Sequence, residues 1–256
     1  MNDERAVLTE RRERVLLITL NRPAARNAVN AALAHGVAAA LAELDGDDEL
    51  QVGVLTGAGK GFCAGMDLKA FVSGESPHVD GRGFAGIAQR SADKPLIAAI
   101  EGFAVAGGLE VALSCDLIVA ARGAKLGIPE VKRSLVAAGG ALLRLPQRIP
   151  YHVAMELALT GDPISAERGY ELGLVNRVAD PGAAVDAALE LAEAIAANAP
   201  LALAASKRIV AEAPAWDSNE AWVKQGEIAG PVFVSEDARE GATAFAEKRA
   251  PVWRGR

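Results

Sequence analysis

The stretch from Pro95 to Ala121, PLIAAIEGFAVAGGLEVALSCDLIVAA, constrains the fold more than any other part of the chain. Its two ends, Pro95–Ile100 and Asp116–Ala121, are short unbroken apolar runs that read as buried strands. Between them the paired glycines Gly107 and Gly108 open a short helix, expected from about Gly108 to Ser114. Glu101, Glu110 and Asp116 interrupt the run, so no membrane span is expected. Glu110 is the expensive residue. A carboxylate among alanines, valines and leucines is costly to bury unless something satisfies it or uses it.

Other segments extend the strand–helix pattern. Val15–Leu20 (VLLITL) and Val52–Gly57 (VGVLTG) read as strands, with a helix over Ala31–Leu44 between them. A glycine-rich loop, Gly57–Asp67 (GAGKGFCAGMD), follows the second strand, and Ser73–Gly83 (SGESPHVDGRG) reads as a mobile surface loop. From Tyr151 onward the pattern is mostly helical, with Gly173–Val178 (GLVNRV) as one late strand. Repeated strand–helix units ending in helices predict an α/β or mixed fold with a C-terminal helical extension.

Composition narrows the function. The 256 residues are 51% hydrophobic and 23% charged, the balance of a globular domain with a sizeable core. The 33 acidic and 27 basic residues give a charge of −6, which argues against a general nucleic-acid binder. An anionic ligand stays possible, because backbone amides and local cations hold phosphate without net positive charge. Cys63 and Cys115 form no disulfide framework and read as packed thiols in a reducing compartment, and the charged N-terminus carries no signal-peptide core. Cytoplasmic localisation is the expectation. His35, His78 and His152 do not cluster, so no metal site is expected.

Three pieces carry the chemistry. Small residues in Cys63–Leu68 (CAGMDL) let a ligand approach the backbone. Gly107 and Gly108 leave free amides at a helix start, where developing negative charge is favoured. Amides from these two loops can together form an oxyanion hole. Gly127–Val131 (GIPEV) then sets Glu130 after a proline. Singly, each has a plainer reading: packing glycines, a surface Glu110, a helix-capping Glu130. Cys63 has no histidine in a partner motif, so a packed thiol is favoured over a nucleophile.

Taken in order, LNRPAARNAVN (Leu20–Asn30), GKGFCAGMDL, KPLIAAIEGFAVAGGLEVALSCDLIVAA, IPEV, LTGDPISAERGYELGLVNRV and AFAEKRAPVW resemble the crotonase, or enoyl-CoA hydratase, superfamily over nearly the whole chain. The resemblance implies an α/β fold, a crotonase-like spiral of stacked ββα units with a C-terminal helical extension. Residues 1–198 would be the spiral core and residues 199–256 a helical trimerisation region, assembled as homotrimers or dimers of trimers. It also implies an acyl-CoA thioester substrate from fatty acid or lipid metabolism, with no cofactor beyond the coenzyme A that the substrate carries. Contacts to coenzyme A, largely through backbone groups, would fall on Ala24, Ala25 and Arg26, then Ala64, Asp67 and Leu68. Lys248 would reach the nucleotide phosphate of a neighbouring subunit.

By the same resemblance the oxyanion-hole amides fall on Met66 and Gly107, and the two catalytic acids of the hydratases on Glu110 and Glu130. Isomerases of the superfamily often keep one of these acids, so the pair favours reversible syn hydration of a trans-2-enoyl-CoA to a 3-hydroxyacyl-CoA. Rival readings are an enoyl-CoA isomerase, a carnitinyl-CoA dehydratase-like enzyme and, disfavoured by the negative charge and the intact acid pair, a non-catalytic RNA-binding homologue. One segment departs from the pattern. Where hydratases commonly read GxIPGAGGTQRL, this chain reads SLVAAGGALLRL (Ser134–Leu145), with Ser134, Ala137, Ala138 and Ala141 as replacements. The Ala138 amide is expected still to hold a water. Arg144–Pro146 (RLP) resembles the carnitinyl-CoA dehydratases.

Overall fold

The computed structural model describes residues 5–256. The charged N-terminal segment forms β1 (Val7–Arg12), antiparallel to β2 (Val15–Leu20). Exposed charged side chains on β1 protect a sheet edge from further pairing. Asn30 begins α1 (Ala31–Gly46) by accepting a hydrogen bond from the Leu33 amide at 3.1 Å. The helix returns the chain to β3 (Val52–Gly57), parallel to β2. Asp67 caps α2 (Leu68–Val72), and a hairpin of β4 (His78–Val79) and β5 (Gly83–Phe84) follows.

The apolar stretch then gives β6 (Leu96–Ile100), β7 (Phe103–Val105), α3 (Gly107–Leu113) and β8 (Leu117–Ala121). Next come β9 (Lys125–Gly127), a 3₁₀ turn at Pro129–Arg133, α4 (Ala141–Arg148) and α5 (Tyr151–Thr160). A two-residue strand β10 (Ile164–Ser165), α6 (Ala166–Glu171) and β11 (Arg177–Ala179) lead into α7 (Ala184–Ala196). The chain ends in α8 (Pro200–Glu212), α9 (Ala221–Phe233) and α10 (Glu236–Glu247).

The main sheet has the order β1-β2-β3-β6-β8-β11, parallel from β2 onward, and a smaller sheet has the order β10-β9-β7. Both β6–β7 and β8–β9 step from the large sheet to the small one, so the chain winds as stacked turns of a spiral. The period-2 alternation of the strands explains their unbroken apolar runs. Val15, Leu17, Val54, Ile97, Ala99 and Val119 pack under Ala188, Leu189 and Ala192 of α7. Leu16, Ile18, Leu55, Ala98, Ile100 and Ile118 face the opposite way, into the larger core with α1. Both faces of the sheet are buried, as parallel strands require.

Two polar ties hold the C-terminal helices to this core. Lys207 of α8 donates to the Ala92 and Lys94 carbonyls, both at 2.8 Å, and pairs with Asp116 at 2.7 Å. Asp116 in turn accepts from the Leu96 amide, so a single carboxylate links α8 to the start of β6. Beyond α10 the chain folds back. Buried Asp237 accepts from the Arg254 and Gly255 amides, and Trp253 donates to the Ala197 carbonyl at 2.8 Å.

The structure corrects several readings of the sequence. The late strand is Arg177–Ala179, because Gly173 takes φ +81° in a turn in which the Leu174 and Val175 amides both bond to the Gly169 carbonyl. The short helix starts at Gly107, one residue early. Ser73–Gly83 does lie at the surface, but its second half pairs into the β4–β5 hairpin, tied down by Ala85 N–H to Pro77 O at 2.8 Å.

Buried Asn27 is the hinge between the first loop and the glycine-rich loop. Its amide donates to Ala58 and Gly61 carbonyls, both at 2.9 Å, and its oxygen accepts from the Arg22 amide at 2.9 Å. Asn27→Ala leaves these buried groups without partners and should cost about 2–3 kcal/mol of stability. Urea unfolding checks this, and a midpoint equal to wild type would contradict it.

Candidate active site

The site begins with backbone packed against backbone. Residues Gly61–Met66 lie so close to residues 103–108 that side chains at several positions are excluded. A Cβ at Gly108 would meet the Cys63 carbonyl oxygen at 2.1 Å, and one at Gly65 would meet Ala106 Cβ at 2.7 Å. A Cβ at Gly107 would strike the Phe84 ring at 2.6 Å. The glycines are therefore required by contact, which the sequence left open. Ala106 itself sits at φ 53°, ψ −135°, a costly conformation for an L-residue. Its amide is held by the Gly127 carbonyl at 2.9 Å, and its carbonyl accepts from the Leu109 and Glu110 amides. Among the described residues the Met66 and Gly107 amides donate to no acceptor.

Glu110 projects from α3 and is 4% exposed. Burial pushes its carboxyl upward, while the Ala141 and Gly139 amides and the charge of Arg144 oppose that rise. Ala141 N–H reaches Glu110 Oε1 at 3.2 Å, and a Cβ at Gly139 would lie 2.4 Å from Oε2. Glu130 sits in the 3₁₀ turn after Pro129, and its Oε2 is buried with no hydrogen-bond partner. Its carboxyl is pushed up to about 7, first by burial and then by the negative charge of Glu110, against its own backbone amide and Arg133. Of the two acids predicted from sequence, Glu130 thus feels the negative charge of the buried Glu110.

The residues predicted to touch coenzyme A fall on two joined segments. Ala24 and Ala25 lie in a 3₁₀ turn at Pro23–Ala25, and Arg26 follows at φ 54°. The Arg26 carbonyl accepts from the Ala64 amide at 3.1 Å, which brings both groups of residues together. The Asp67 amide bonds to Val29 O at 2.9 Å, and its carboxylate caps α2 and pairs with Arg22 at 2.9 Å. Against the upward push of burial, the Ala70 amide and then Arg22 hold that carboxyl below the usual carboxylate range. Leu68 is exposed at the start of α2. Lys248 is not among them. It ends α10 at φ 55°, exposed, with no side-chain bond to either loop.

One reading changes here. The Ala138 amide donates to Val136 O at 2.8 Å, so it is already engaged and is not the free water-holding donor expected from the sequence. The donors near Glu110 are those of Gly139 and Ala141, and Ala141 was visible in the sequence only as a departure from the family pattern. Cys63 is fully buried, its thiol pushed up to about 12 by burial and bonded to the Asn27 carbonyl at 3.1 Å, the behaviour of a packed thiol. Asn27 and Arg22 were missed as organisers. Their partners are distant in sequence, although Asn27 does lie within the quoted LNRPAARNAVN segment.

Comparison with known proteins identifies the family. The family model for enoyl-CoA hydratase/isomerase matches residues 10–256. An enoyl-CoA hydratase of Mycobacterium tuberculosis is 45% identical, with 97% of this chain and 96% of that protein covered. A carnitinyl-CoA dehydratase of Salmonella enteritidis is 42% identical, over 94% of this chain and 95% of that one. Among solved structures, an enoyl-CoA hydratase from M. tuberculosis H37Rv superposes with a TM-score of 0.97 at 60% identity, covering 99% and 100% of the two chains. A carnitinyl-CoA hydratase from Mycobacterium avium gives 0.78 at 46% identity, again covering 99% and 100%. The chain belongs to the enoyl-CoA hydratase/isomerase family.

The raised Glu130 carboxyl has a consequence for stability. An unfolded glutamate releases its proton near 4.5 and the folded one near 7, so the favourable contribution is complete below 4.5 and is lost as pH rises through 7. Glu130→Gln does not titrate. Its melting temperature should therefore gain on that of the wild type between pH 4.5 and pH 8. Scanning calorimetry at both pH values checks this, and a constant difference would contradict it.

Proposed function

We propose that this protein is a hydro-lyase that adds water reversibly to a trans-2-enoyl-CoA, giving a 3-hydroxyacyl-CoA by syn addition. One observation carries the reading: two carboxyl groups in unequal surroundings, Glu110 buried and Glu130 half-buried. Glu110 has backbone donors aimed at it, which suits a carboxylate base. Glu130 has a buried oxygen without a partner and holds its proton to about 7, which suits a general acid. In this mechanism Glu110 takes a proton from water as the hydroxyl oxygen bonds to the β carbon. Glu130 gives its proton to the α carbon on the same face. With the Ala138 amide occupied, the attacking water has the two carboxyl groups as its partners.

The Met66 and Gly107 amides receive the thioester oxygen as negative charge builds on it. A preorganised donor of this kind is worth about 3–4 kcal/mol in acyl chemistry. Coenzyme A runs along the joined loops at Ala24, Ala25, Arg26, Ala64, Asp67 and Leu68, with Lys248 supplied by a neighbouring subunit. No cofactor beyond the substrate's own coenzyme A is needed, because the thioester acidifies the α position. Trp222, Phe233 and Phe245 on α9 and α10 are 79%, 80% and 88% exposed, which supports a homotrimer or dimer of trimers that covers them. Among the described residues no single helix is long and apolar enough to cross a membrane. The two cysteines are free and buried, which supports a cytoplasmic setting.

A second reading, a dehydratase for a polar acyl group, is favoured by the Arg144–Pro146 segment and by the 42% identical carnitinyl-CoA dehydratase. The 60% identity and 0.97 TM-score to an enoyl-CoA hydratase structure support the first.

A panel of enoyl-CoA thioesters of varied length and polarity tests the reading. Glu110→Gln and Glu130→Gln keep side-chain size, so fold and thioester binding should survive while turnover falls by about 10²–10⁴ in each. The double variant should lose less than the product of the single losses. Unchanged hydration in both single variants would refute the mechanism. Double-bond migration that persists in Glu110→Gln would favour an isomerase. Light scattering should give a mass three or six times that of one chain, and a monomer at micromolar protein would refute the assembly.

A further inference from the structure

The turn behind Glu110 is packed between two opposite charges. On one side the Ala141 amide bonds to Glu110 Oε1, and Gly139 lies against Oε2 so closely that no Cβ fits. On the other side is Arg144 of α4. Its Nη2 donates to Ala88 O at 2.6 Å and its Nη1 to Gly139 O at 3.5 Å. Gly140 has φ +110°, and a Cβ there would lie 2.0 Å from Arg144 Nη1. The guanidinium therefore fills the space under the turn, and glycine at 140 is required both by conformation and by this contact.

Arg144 is half-buried and belongs to no ion pair among the described residues. Two carbonyls orient it without neutralising it. We propose that Arg144 is a positioning residue that clamps the Gly139–Ala141 turn onto Glu110 and so decides which of the two carboxyl groups serves as the base. The assignment of base and acid rests on the hydratase reading, whereas the clamp rests on geometry alone. Arg144 opposes the upward push of burial on Glu110, while Glu130, on which Arg133 and not this clamp acts, keeps its proton to about 7. The charged and titratable neighbours are few. Glu110 is faced by Glu130 from the 3₁₀ turn and by Arg144 from α4. Arg144 is faced by Glu110, by the Cys115 thiol after α3 and by Arg148 on its own helix, which donates to Leu113 O at 2.7 Å. Asp116 is already paired with Lys207 of α8 and does not compensate Arg144.

The test compares wild type, Arg144→Gln and Arg144→Lys by ¹³C-detected titration of glutamate carboxyl groups, with the Glu110 signal assigned by its loss in Glu110→Gln. In Arg144→Gln the Glu110 midpoint should rise by about one pH unit, the low end of what a nearby cation provides. The acid limb of kcat should move up with it, kcat well down that limb should fall about tenfold, and KM should stay within about twofold. Arg144→Lys keeps the charge and should restore most of the midpoint, but not the full kcat, because one ammonium is a poor substitute for a two-carbonyl fork. A Glu110 midpoint that is the same in wild type and Arg144→Gln would overturn the proposal. So would a uniform loss of kcat at every pH with the midpoint unmoved, the signature of a merely structural residue. The titration needs no substrate, so a wild type that hydrates no thioester refutes the hydratase reading while the carboxyl midpoints still judge the clamp.

Discussion

The contact between the Cys63 carbonyl and the Cα of Gly108 sets the geometry on which the rest of the site depends. Backbone can approach backbone this closely only where both surfaces lack side chains, and Gly65, Gly107 and Gly108 supply that surface. The approach fixes where α3 begins, and the start of α3 fixes where Glu110 emerges one turn later. It also leaves the Met66 and Gly107 amides in neighbouring segments without acceptors. Strain at Ala106 is part of the same arrangement, held by bonds on both its amide and its carbonyl.

Burying Glu110 is the second constraint, and the chain meets it from a distant segment. The Gly139–Ala141 turn brings backbone donors to the carboxylate, and Arg144 occupies the far side of that turn. Glu130 has no equivalent support, and its buried Oε2 is unpartnered. Identical side-chain chemistry thus acquires two characters from its surroundings, which is how two carboxyl groups divide acid and base roles near neutral pH.

Much of this was legible in the sequence, for physical reasons. Unbroken apolar runs at Leu96–Ile100 and Leu117–Ala121 are what strands buried on both faces must look like, and they lie where expected. A glutamate inside such a run demanded an explanation, and Glu110 proved to be buried and supplied with donors. What stayed hidden depends on contacts between distant residues. Nothing local to Asn27 says that its amide will bond to Ala58 and Gly61, and nothing local to Arg144 says that it will lie under Gly140. The Ala138 amide was misread because a short bond to Val136, a matter of turn geometry, consumes it. The β1 edge strand was obscured by its charges, which are the feature that lets an edge stay unpaired.

The central claim is that the two carboxyl groups add water across a double bond. Turnover of crotonyl-CoA in deuterated, ¹⁸O-labelled water tests it most directly. The mechanism predicts one ¹⁸O at the β carbon and one deuterium at the α carbon, added to the same face to give a single diastereomer. A double bond shifted to the β,γ position, with a proton lost from the γ carbon, deuterium at the α carbon and no uptake of ¹⁸O, would contradict it.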